Sequence, residues 1–201
     1  EPDLAARPGS AGRPALHSRI RLVVADRERR VEPSETVPPG QVGEVVVDAG
    51  SPQAFRGYWR RPAEDARAVR DGWYFTGDLG YLDADGNLRL VGRLDDMIIT
   101  GGENVHPQQV EEVLRAHPGV RDVAVAGRAD PRWGQVVVAF VVPAAPGLTA
   151  AELDRFCLAS PHLARFQRPR DYVFVDEIPR TPSGKVLRRR LWEGPASRRE
   201  E

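Results

Sequence analysis

Residues 92–107 are GRLDDMIITGGENVHP, and the spacing of apolar and polar residues along the chain changes across this stretch. Before it, apolar and polar residues alternate, as they do in antiparallel strands with one buried face. After it, apolar residues recur at helical spacing between β-branched runs, which indicates helices that alternate with buried strands. We therefore predict an α+β chain of two parts, residues 1–94 and residues 95–201, joined at this stretch.

The first part is expected to form antiparallel strands. They are predicted at residues 19–25, 42–48, 78–82 and 87–91. Asp85 and Gly86 lie between the last two strands and favour a tight hairpin turn. A short helix is predicted at residues 62–69, because Pro62 suits the first helical position and two acidic residues follow it in the first turn.

The second part is expected to mix helices and strands. Helices are predicted at residues 107–117 and 149–159, and strands at residues 122–126, 135–142 and 170–175. Thr149 is a good helix cap, and Glu152 stands three residues later in the capping-box position. The order helix, strand, strand, helix, strand is typical of a compact α+β unit.

The composition is that of a globular protein and argues against several other classes. The 201 residues, of which 41% are hydrophobic, can bury one sizeable core or two small ones. With 29 acidic and 29 basic residues the formal net charge is zero, which argues against a nucleic-acid or membrane-surface partner. These residues show neither a signal-peptide pattern nor a long apolar run, so we expect no membrane-spanning segment among them.

The numbers and positions of cysteine and histidine bear on disulfides, compartment and metal binding. The single cysteine, Cys157, excludes an intrachain disulfide framework and fits a reducing compartment, so we expect a cytoplasmic protein. Its spacing from Leu153 and Phe156 favours core packing over a nucleophilic role. The four histidines are scattered, and we predict no metal site.

Lys185 is the one lysine among 29 basic residues. A compact ammonium and a planar guanidinium are not interchangeable, so a site that keeps lysine in an arginine-rich chain is a candidate functional site. Pro182, Ser183 and Gly184 predict a turn that presents Lys185, before a basic and helical end at residues 186–192. Chance retention on a solvated surface is the alternative. The pair Gly184 and Lys185 is not a P-loop, because Pro179 stands where that motif needs a glycine.

Three ordered motifs carry a family resemblance. They are residues 74–78 (YFTGD), residues 92–96 with residues 101–105 (GRLDD and GGENV), and residues 182–185 (PSGK). Together they resemble the adenylate-forming enzymes, which comprise acyl- and aryl-CoA synthetases, luciferases and peptide-synthetase adenylation domains. Residues 130–135 and 166–170 look like those of the CoA ligases. Residues 95–107 are most similar to 4-chlorobenzoate- and related aryl-CoA ligases.

The resemblance implies a two-step reaction with ATP, Mg²⁺ and coenzyme A. A carboxylate attacks the α-phosphate of ATP, which gives an acyl-adenylate and pyrophosphate, and the CoA thiol then displaces AMP. By resemblance, Lys185 is the catalytic cation of the first step. Asp78 is expected to hold the ribose hydroxyls, and Arg93 to contact the ribose or a phosphate.

The same resemblance implies a mobile small domain that rotates about Asp95 between the two steps. Gly101 and Gly102 are then expected to line the pantetheine tunnel of CoA. The residues expected to receive the CoA nucleotide are Trp133, Phe166, Arg168 and Arg170. For the two aromatic residues core packing is the alternative, and for the two arginines it is a solvated face.

The family's phosphate loop and acyl pocket are not found in these residues, so we expect the chain to be inactive alone and to need an N-terminal large domain as its partner. Residues 1–94 are then the last β-subdomain of that large domain, and residues 95–201 the small domain. The chain is interpreted as part of an acid–thiol ligase for a carboxylic acid of unidentified structure, with a homodimer left open. A free-standing binding module, or an adenylation domain of the luciferase or peptide-synthetase branch, remains the alternative.

Overall fold

A computed structural model describes residues 9–193 of the chain. Within it the chain divides into two compact units, Glu1–Asp95 and Asp96–Glu201. The outer ends of both predicted parts, residues 1–8 and 194–201, lie outside the described residues. No helix in the described part is long and apolar enough to cross a membrane.

The first unit contains a six-stranded antiparallel sheet with strand order β1-β6-β5-β3-β2, and β4 pairs with β5. Its elements are β1 (Ser10–Gly12), β2 (Ile20–Val23), β3 (Gly43–Asp48), α1 (Pro62–Ala68), β4 (Val69–Arg70), β5 (Trp73–Leu82) and β6 (Leu88–Arg93). The four predicted strands and the predicted helix are all present, but β5 begins five residues before the predicted position. A 3-10 helix, Leu94–Asp96, follows β6.

The sheet of the first unit is held by a buried apolar cluster and by the close approach of two neighbouring strands at Gly80. Val23, Val31, Val46 and Phe75 form its buried cluster. At Gly80 a Cβ atom would come within 2.6 Å of the backbone oxygen of Arg89, so strands β5 and β6 can approach this closely only with glycine there.

The second unit contains a five-stranded sheet with strand order β11-β10-β7-β8, and β9 pairs with β10. Its elements are β7 (Ile98–Thr100), β8 (Glu103–Val105), α2 (Pro107–Arg115), β9 (Val120–Asp130), β10 (Gly134–Pro143), α3 (Ala150–Ala159) and β11 (Asp171–Phe174). Among the described strands of this sheet, only β10 and β11 pair in parallel. The predicted helical end is a short 3-10 helix, Arg188–Trp192.

Each face of the second sheet buries its own cluster. One face packs against α2 and α3 and buries Ile98, Leu114, Leu153 and Cys157 among others, so the predicted core position of Cys157 is confirmed. The opposite face buries β9 and β10 side chains against Ile178 and Leu191, which come from the segments on either side of Lys185. The predicted cap of α3 is also confirmed, since the hydroxyl of Thr149 accepts a hydrogen bond from the Glu152 amide at 3.3 Å. The chain is therefore α+β, as predicted.

Candidate functional site

Asp78 and Arg93 are paired across neighbouring strands of the first unit. They are direct partners in the antiparallel register of β5 and β6, and Nη1 of Arg93 lies 2.7 Å from Oδ1 of Asp78. Both side chains are partly exposed. The two candidate nucleotide-binding residues therefore form one charged pair that solvent, or a ligand, can reach.

The backbone before Asp78 is held by three hydrogen bonds. The hydroxyl of Thr76 donates to the Val45 oxygen at 2.7 Å and accepts from the Asp78 amide at 3.0 Å. The Gly77 amide donates to Oε1 of Glu44 at 2.9 Å, and Gly77 has a φ of +72°, which favours glycine. Glu44 is buried, and burial raises the pKa of its carboxyl. Asp78 thus projects from a fixed, irregular stretch of β5.

Tyr74, the first residue of the same motif, lies in an aromatic cluster. Its ring packs against that of Phe55, tilted by 33° with 4.5 Å between centroids, and its hydroxyl lies 3.4 Å from that of Tyr58. This hydrogen bond is the main cause that raises the pKa of Tyr74 to about 12, with burial adding to it. The phenol therefore stays protonated at neutral pH.

Lys185 projects from a tightly bonded loop in the second unit. The Thr181 amide donates to the Lys185 oxygen at 2.8 Å, and the Thr181 hydroxyl accepts from the Lys185 amide at 3.0 Å. The Gly184 amide donates to the Thr181 oxygen at 2.8 Å, and a φ of +85° at Gly184 makes this turn one that favours glycine. Lys185 is exposed, and within residues 9–193 its ammonium has no hydrogen-bond or ion-pair partner.

The first stem of this loop is anchored by Arg180. Its Nη2 lies 2.8 Å and 2.9 Å from the two carboxylate oxygens of Asp122, at the start of β9, and its Nη1 donates to the Gly184 oxygen at 3.0 Å. Sequence reasoning missed Arg180 because its partner stands 58 residues away. Its position beside the lysine motif was the only signal in the sequence.

Gly101 and Gly102 form the two-residue turn that joins β7 to β8. Their φ values of +60° and +84° are those of a type I′ hairpin turn, which requires left-handed backbone at both positions. The Gly101 amide donates to the Trp133 oxygen at 2.9 Å. The structure thus brings Gly101 and Trp133 together, although 32 positions separate them in the sequence.

Trp133 is 41% exposed, so the core-packing alternative for this residue is wrong. Phe166 is exposed as well, and the same alternative is wrong for it. Arg170 is exposed and continues into β11, with its amide bonded to the Val137 oxygen at 2.8 Å.

Arg168 lies in a different environment from Arg170. Its Nη1 is paired with the Asp154 carboxylate of α3, and its Nε is buried with no partner among residues 9–193. The solvated-face alternative is therefore wrong for Arg168. The Asp154 pair also limits its use as a free cation for a phosphate.

The predicted site residues are divided between the two units. Asp78 and Arg93 belong to the first unit, Asp95 is its last residue, and the remaining candidates belong to the second. A groove of about 690 Å³ between α2 and α3 in the second unit is lined by Val113, Phe156 and His162, among others, and includes none of the candidates. Within residues 9–193 no cluster of three or more histidine, cysteine or acidic residues could hold a metal ion.

Residues 109–185 match the family model described as the AMP-binding enzyme C-terminal domain. The chain is 48% identical over 181 residues to a 4-chlorobenzoate–CoA ligase of Arthrobacter sp, which covers 90% of this chain and 34% of the relative. It is 44% identical over 182 residues to a fatty acid–[acyl-carrier-protein] ligase of Streptomyces coeruleorubidus, with 90% and 33% covered. The chain thus spans about a third of the length of the curated relatives it matches.

Solved structures agree with these sequence matches. The chain superimposes on o-succinylbenzoate CoA synthetase of Bacillus subtilis, solved in complex with its acyl-adenylate intermediate, with a TM-score of 0.81 and 35% identity. The match covers 96% of this chain and 37% of that one. The same enzyme has also been solved with ATP and a magnesium ion.

Proposed function

Because this chain belongs to the adenylate-forming enzymes, with a C-terminal domain of the AMP-binding type at residues 109–185, we propose that it is the carboxy-terminal part of an ATP-dependent carboxylate–CoA ligase. The relatives named for aryl-CoA formation favour an aromatic acid as the substrate. The observation that carries the proposal is the single lysine of the chain, held exposed on the braced loop 181–185.

In the first step a carboxylate oxygen of the acid attacks the α-phosphorus of ATP, and the bond to the pyrophosphate oxygen breaks. Two anions approach each other and negative charge spreads over the oxygens around phosphorus. A compact cation that faces both groups stabilises this transition state more than the separated substrates. In our proposal Lys185 is that cation, and the hydrogen bonds of its loop fix the backbone from which the side chain projects.

The pair of Asp78 and Arg93 fits a ribose site. The carboxylate of Asp78 can accept hydrogen bonds from the ribose hydroxyls, while its hydrogen-bonded ion pair with Arg93 holds it in place. The hydrogen-bonded backbone at Gly77, within β5, supports this role because it fixes the position from which the Asp78 side chain projects.

In the second step the CoA thiolate attacks the acyl carbonyl carbon, and AMP leaves. We propose that Gly101 and Gly102 line the pantetheine path and that Trp133 stacks on the CoA nucleotide, with Phe166 and Arg170 beside it. The direct contact between Gly101 and Trp133 supports this part of the proposal. Arg168 would bind a CoA phosphate only by sharing its guanidinium with Asp154. Asp95 would be the hinge between the two steps.

Mg²⁺ accompanies ATP in the proposed reaction, but the residues described here do not form a site for it. They contain no cluster of three or more histidine, cysteine or acidic side chains suited to a metal, so we assign no step to Mg²⁺ within this chain. We keep as predictions a cytoplasmic location, no nucleic-acid or membrane partner, and the possibility of a homodimer.

The experiment is an assay of the complete enzyme that contains this chain. Aromatic and fatty acids are supplied with ATP, and AMP release is measured with and without CoA. We expect CoA-dependent AMP release with at least one aromatic acid. A holo acyl-carrier protein is supplied in place of CoA in a parallel arm, because one relative is named for that acceptor. AMP release that depends on the carrier protein but not on CoA would overturn the CoA assignment. No AMP release with any of the acids would overturn the ligase assignment.

A matched arm uses the chain of 201 residues by itself. It should show no carboxylate-dependent exchange of pyrophosphate into ATP, because it lacks the acyl pocket and the phosphate loop of the family. Clear exchange by this chain alone would contradict its interpretation as one part of the catalytic machinery.

A further inference from the structure

Arg188 contacts three separate elements of the second unit. Its Nε donates to the Val125 oxygen of β9 at 3.1 Å, and its Nη2 donates to Oε1 of Glu111 in α2 at 2.7 Å. Its Nη1 lies 3.4 Å from a carboxylate oxygen of Asp96, the first residue of the unit. One guanidinium therefore links a strand, a helix and the beginning of the unit.

The partner of Arg188 in α2 is a buried carboxylate. The side chain of Glu111 is only 6% exposed, and its Oε1 also accepts the Val125 amide at 2.9 Å. A buried charge is costly unless it is paired and hydrogen-bonded, so Glu111 fixes the place where a cation must lie. Arg115 does not fill that place, since its closest approach to Glu111 is 4.0 Å and it is half exposed.

The geometry also requires arginine in particular. Arg188 meets its three acceptors through three different nitrogens, and a guanidinium presents its donors in a rigid planar fork. A lysine has one flexible ammonium, which could satisfy one of these acceptors well but would leave the others poorly bonded. The contacts of Arg188 are therefore a specific set of directed hydrogen bonds and ion pairs, which a simple attraction between opposite charges would not reproduce.

Arg188 stands three residues after Lys185 on the same short segment. The Leu187 amide, between them, donates to the Pro179 oxygen at 2.8 Å, which closes the loop, and Leu191 buries the far end of the segment. Arg180 and Asp122 anchor the first stem of the loop. Arg188 and Glu111 anchor the second stem, so the exposed lysine projects from a loop clamped on both sides.

We propose that Arg188 is a positioning residue for the adenylation step: through the buried carboxylate of Glu111 it holds the segment that places the Lys185 ammonium, and through Asp96 it ties that segment to the residue beside the proposed hinge. This inference rests on the proposed function, because it assigns Arg188 a role in placing the cation that the function requires. Arg188 touches no substrate in this role.

The test uses the complete ligase and separates positioning from folding. The double variant Glu111→Gln/Arg188→Met removes both charges together, so it leaves no unpaired buried charge. Arg188→Lys keeps the charge without the fork. Arg189→Ala, at an exposed neighbouring arginine, is the matched control, and Lys185→Ala is the reference. Each variant is assayed for acyl-adenylate formation and, separately, for thioester formation from supplied acyl-adenylate and CoA.

We expect the double variant to slow acyl-adenylate formation by about 10- to 100-fold, since a catalytic group misplaced by about 1 Å can cost that much. The KM for ATP and the thioester step should change little, and Arg188→Lys should fall between the double variant and the wild type. Amide hydrogen exchange at Thr181, Gly184 and Leu187 should accelerate in the double variant, while exchange in β10 stays slow.

The inference is overturned if the folded double variant forms acyl-adenylate at the wild-type rate while Lys185→Ala does not. It is also overturned if the double variant slows both half-reactions equally and amide exchange accelerates throughout the unit. That result would mean that Arg188 and Glu111 only stabilise the fold. If Lys185→Ala itself adenylates normally, the proposed function fails and this inference fails with it. The reference variant therefore distinguishes the two failures.

Discussion

The ring of Trp133 lies against Gly101 so closely that a Cβ atom at Gly101 would be 3.0 Å from Cε3 of the ring. The contact joins the turn between β7 and β8 to the residue just before β10. An exposed indole is thus held at a fixed place by a residue that has no side chain. This pair is the part of the candidate CoA surface whose geometry is most directly testable.

Gly101→Ala is expected to impair the thioester step. Alanine at a φ of +60° costs about 1–2 kcal/mol of stability, and its methyl group would push the Trp133 ring aside. In the complete enzyme we expect a higher KM for CoA with acyl-adenylate formation nearly unchanged. Gly86→Ala is the control, because it has a similar φ of +77° and open space around its Cβ position. An equal effect of both substitutions on CoA use would argue that only backbone strain matters.

Trp133→Ala tests the proposed stacking on the CoA nucleotide. Loss of the indole should weaken CoA binding by about 1–3 kcal/mol, which would appear as a higher KM for CoA at an unchanged KM for ATP. Phe166→Ala should give a smaller effect of the same kind. Steady-state kinetics with CoA and ATP varied separately measure both. An unchanged dependence on CoA in both variants would mean that the nucleotide binds elsewhere.

Arg168→Ala should behave differently from Arg170→Ala. Arg168 is paired with Asp154 and is mostly buried, so its loss leaves a carboxylate without its partner and lowers the free energy of unfolding by about 1–3 kcal/mol. Arg170 is exposed, so its replacement should change CoA use with little change in stability. Denaturant unfolding of each variant beside its CoA kinetics separates the two effects. Equal unfolding free energies would contradict the structural role assigned to Arg168.

The sequence predicted α2, α3 and β10 nearly to their ends, where the periodicity was long, whereas β9 extends well beyond the predicted residues 122–126. It missed the short strands β7 and β8, because three-residue strands carry no measurable period and are defined by the pairing of Ile98 with Val105. The start of β5 was missed since residues 73–77 do not alternate simply, and a register shift lies between Leu79 and Gly80.

The motifs identified residues but not their partners. The partners of Arg168, Arg180 and Arg188 stand 14, 58 and 77 residues away, so only the folded chain shows which cation is free and which is bound. Glu44 gave no signal in the sequence, although it accepts the Gly77 amide beside Asp78. From the sequence alone, a buried acidic residue inside a strand cannot be distinguished from an exposed one.

Glu44→Gln is expected to stabilise the fold at neutral pH. Burial raises the pKa of Glu44 in the folded state, so its charged form is disfavoured there relative to the unfolded chain. The wild-type protein therefore has its full stability below the unfolded pKa and loses part of it as the pH rises through the folded pKa. Glutamine keeps an acceptor for the Gly77 amide and does not titrate. The gain at pH 7, on the order of 1 kcal/mol, should vanish near pH 4 in denaturant unfolding. A gain independent of pH would contradict this cause.

Asp95→Pro tests the proposed hinge. Proline fixes φ near −65° and removes a backbone donor, so it restricts rotation at this position. In the complete enzyme we expect acyl-adenylate formation to stay largely intact while thioester formation slows strongly, as the two half-reactions require different arrangements of the small domain in our proposal. Asp95→Ala, which leaves the backbone free, is the control. Equal losses in both half-reactions would point to misfolding instead of a blocked rotation.

Lys185→Arg is the sharpest test of the proposed catalytic cation, because it keeps the charge and changes only its shape. The loop of residues 181–185 fixes the backbone at this position, so a broader guanidinium cannot be accommodated by moving the loop. Both Lys185→Arg and Lys185→Ala should slow acyl-adenylate formation by about 100-fold or more, which is about 3 kcal/mol of lost transition-state stabilisation. Conversion of supplied acyl-adenylate and CoA to the thioester should stay near the wild-type rate, since the ammonium is not needed there. Arg189→Lys, at an exposed neighbour, is the matched control. Normal adenylation by Lys185→Arg would mean that position 185 requires only a positive charge, and the two-oxygen role proposed for its ammonium would have to be abandoned.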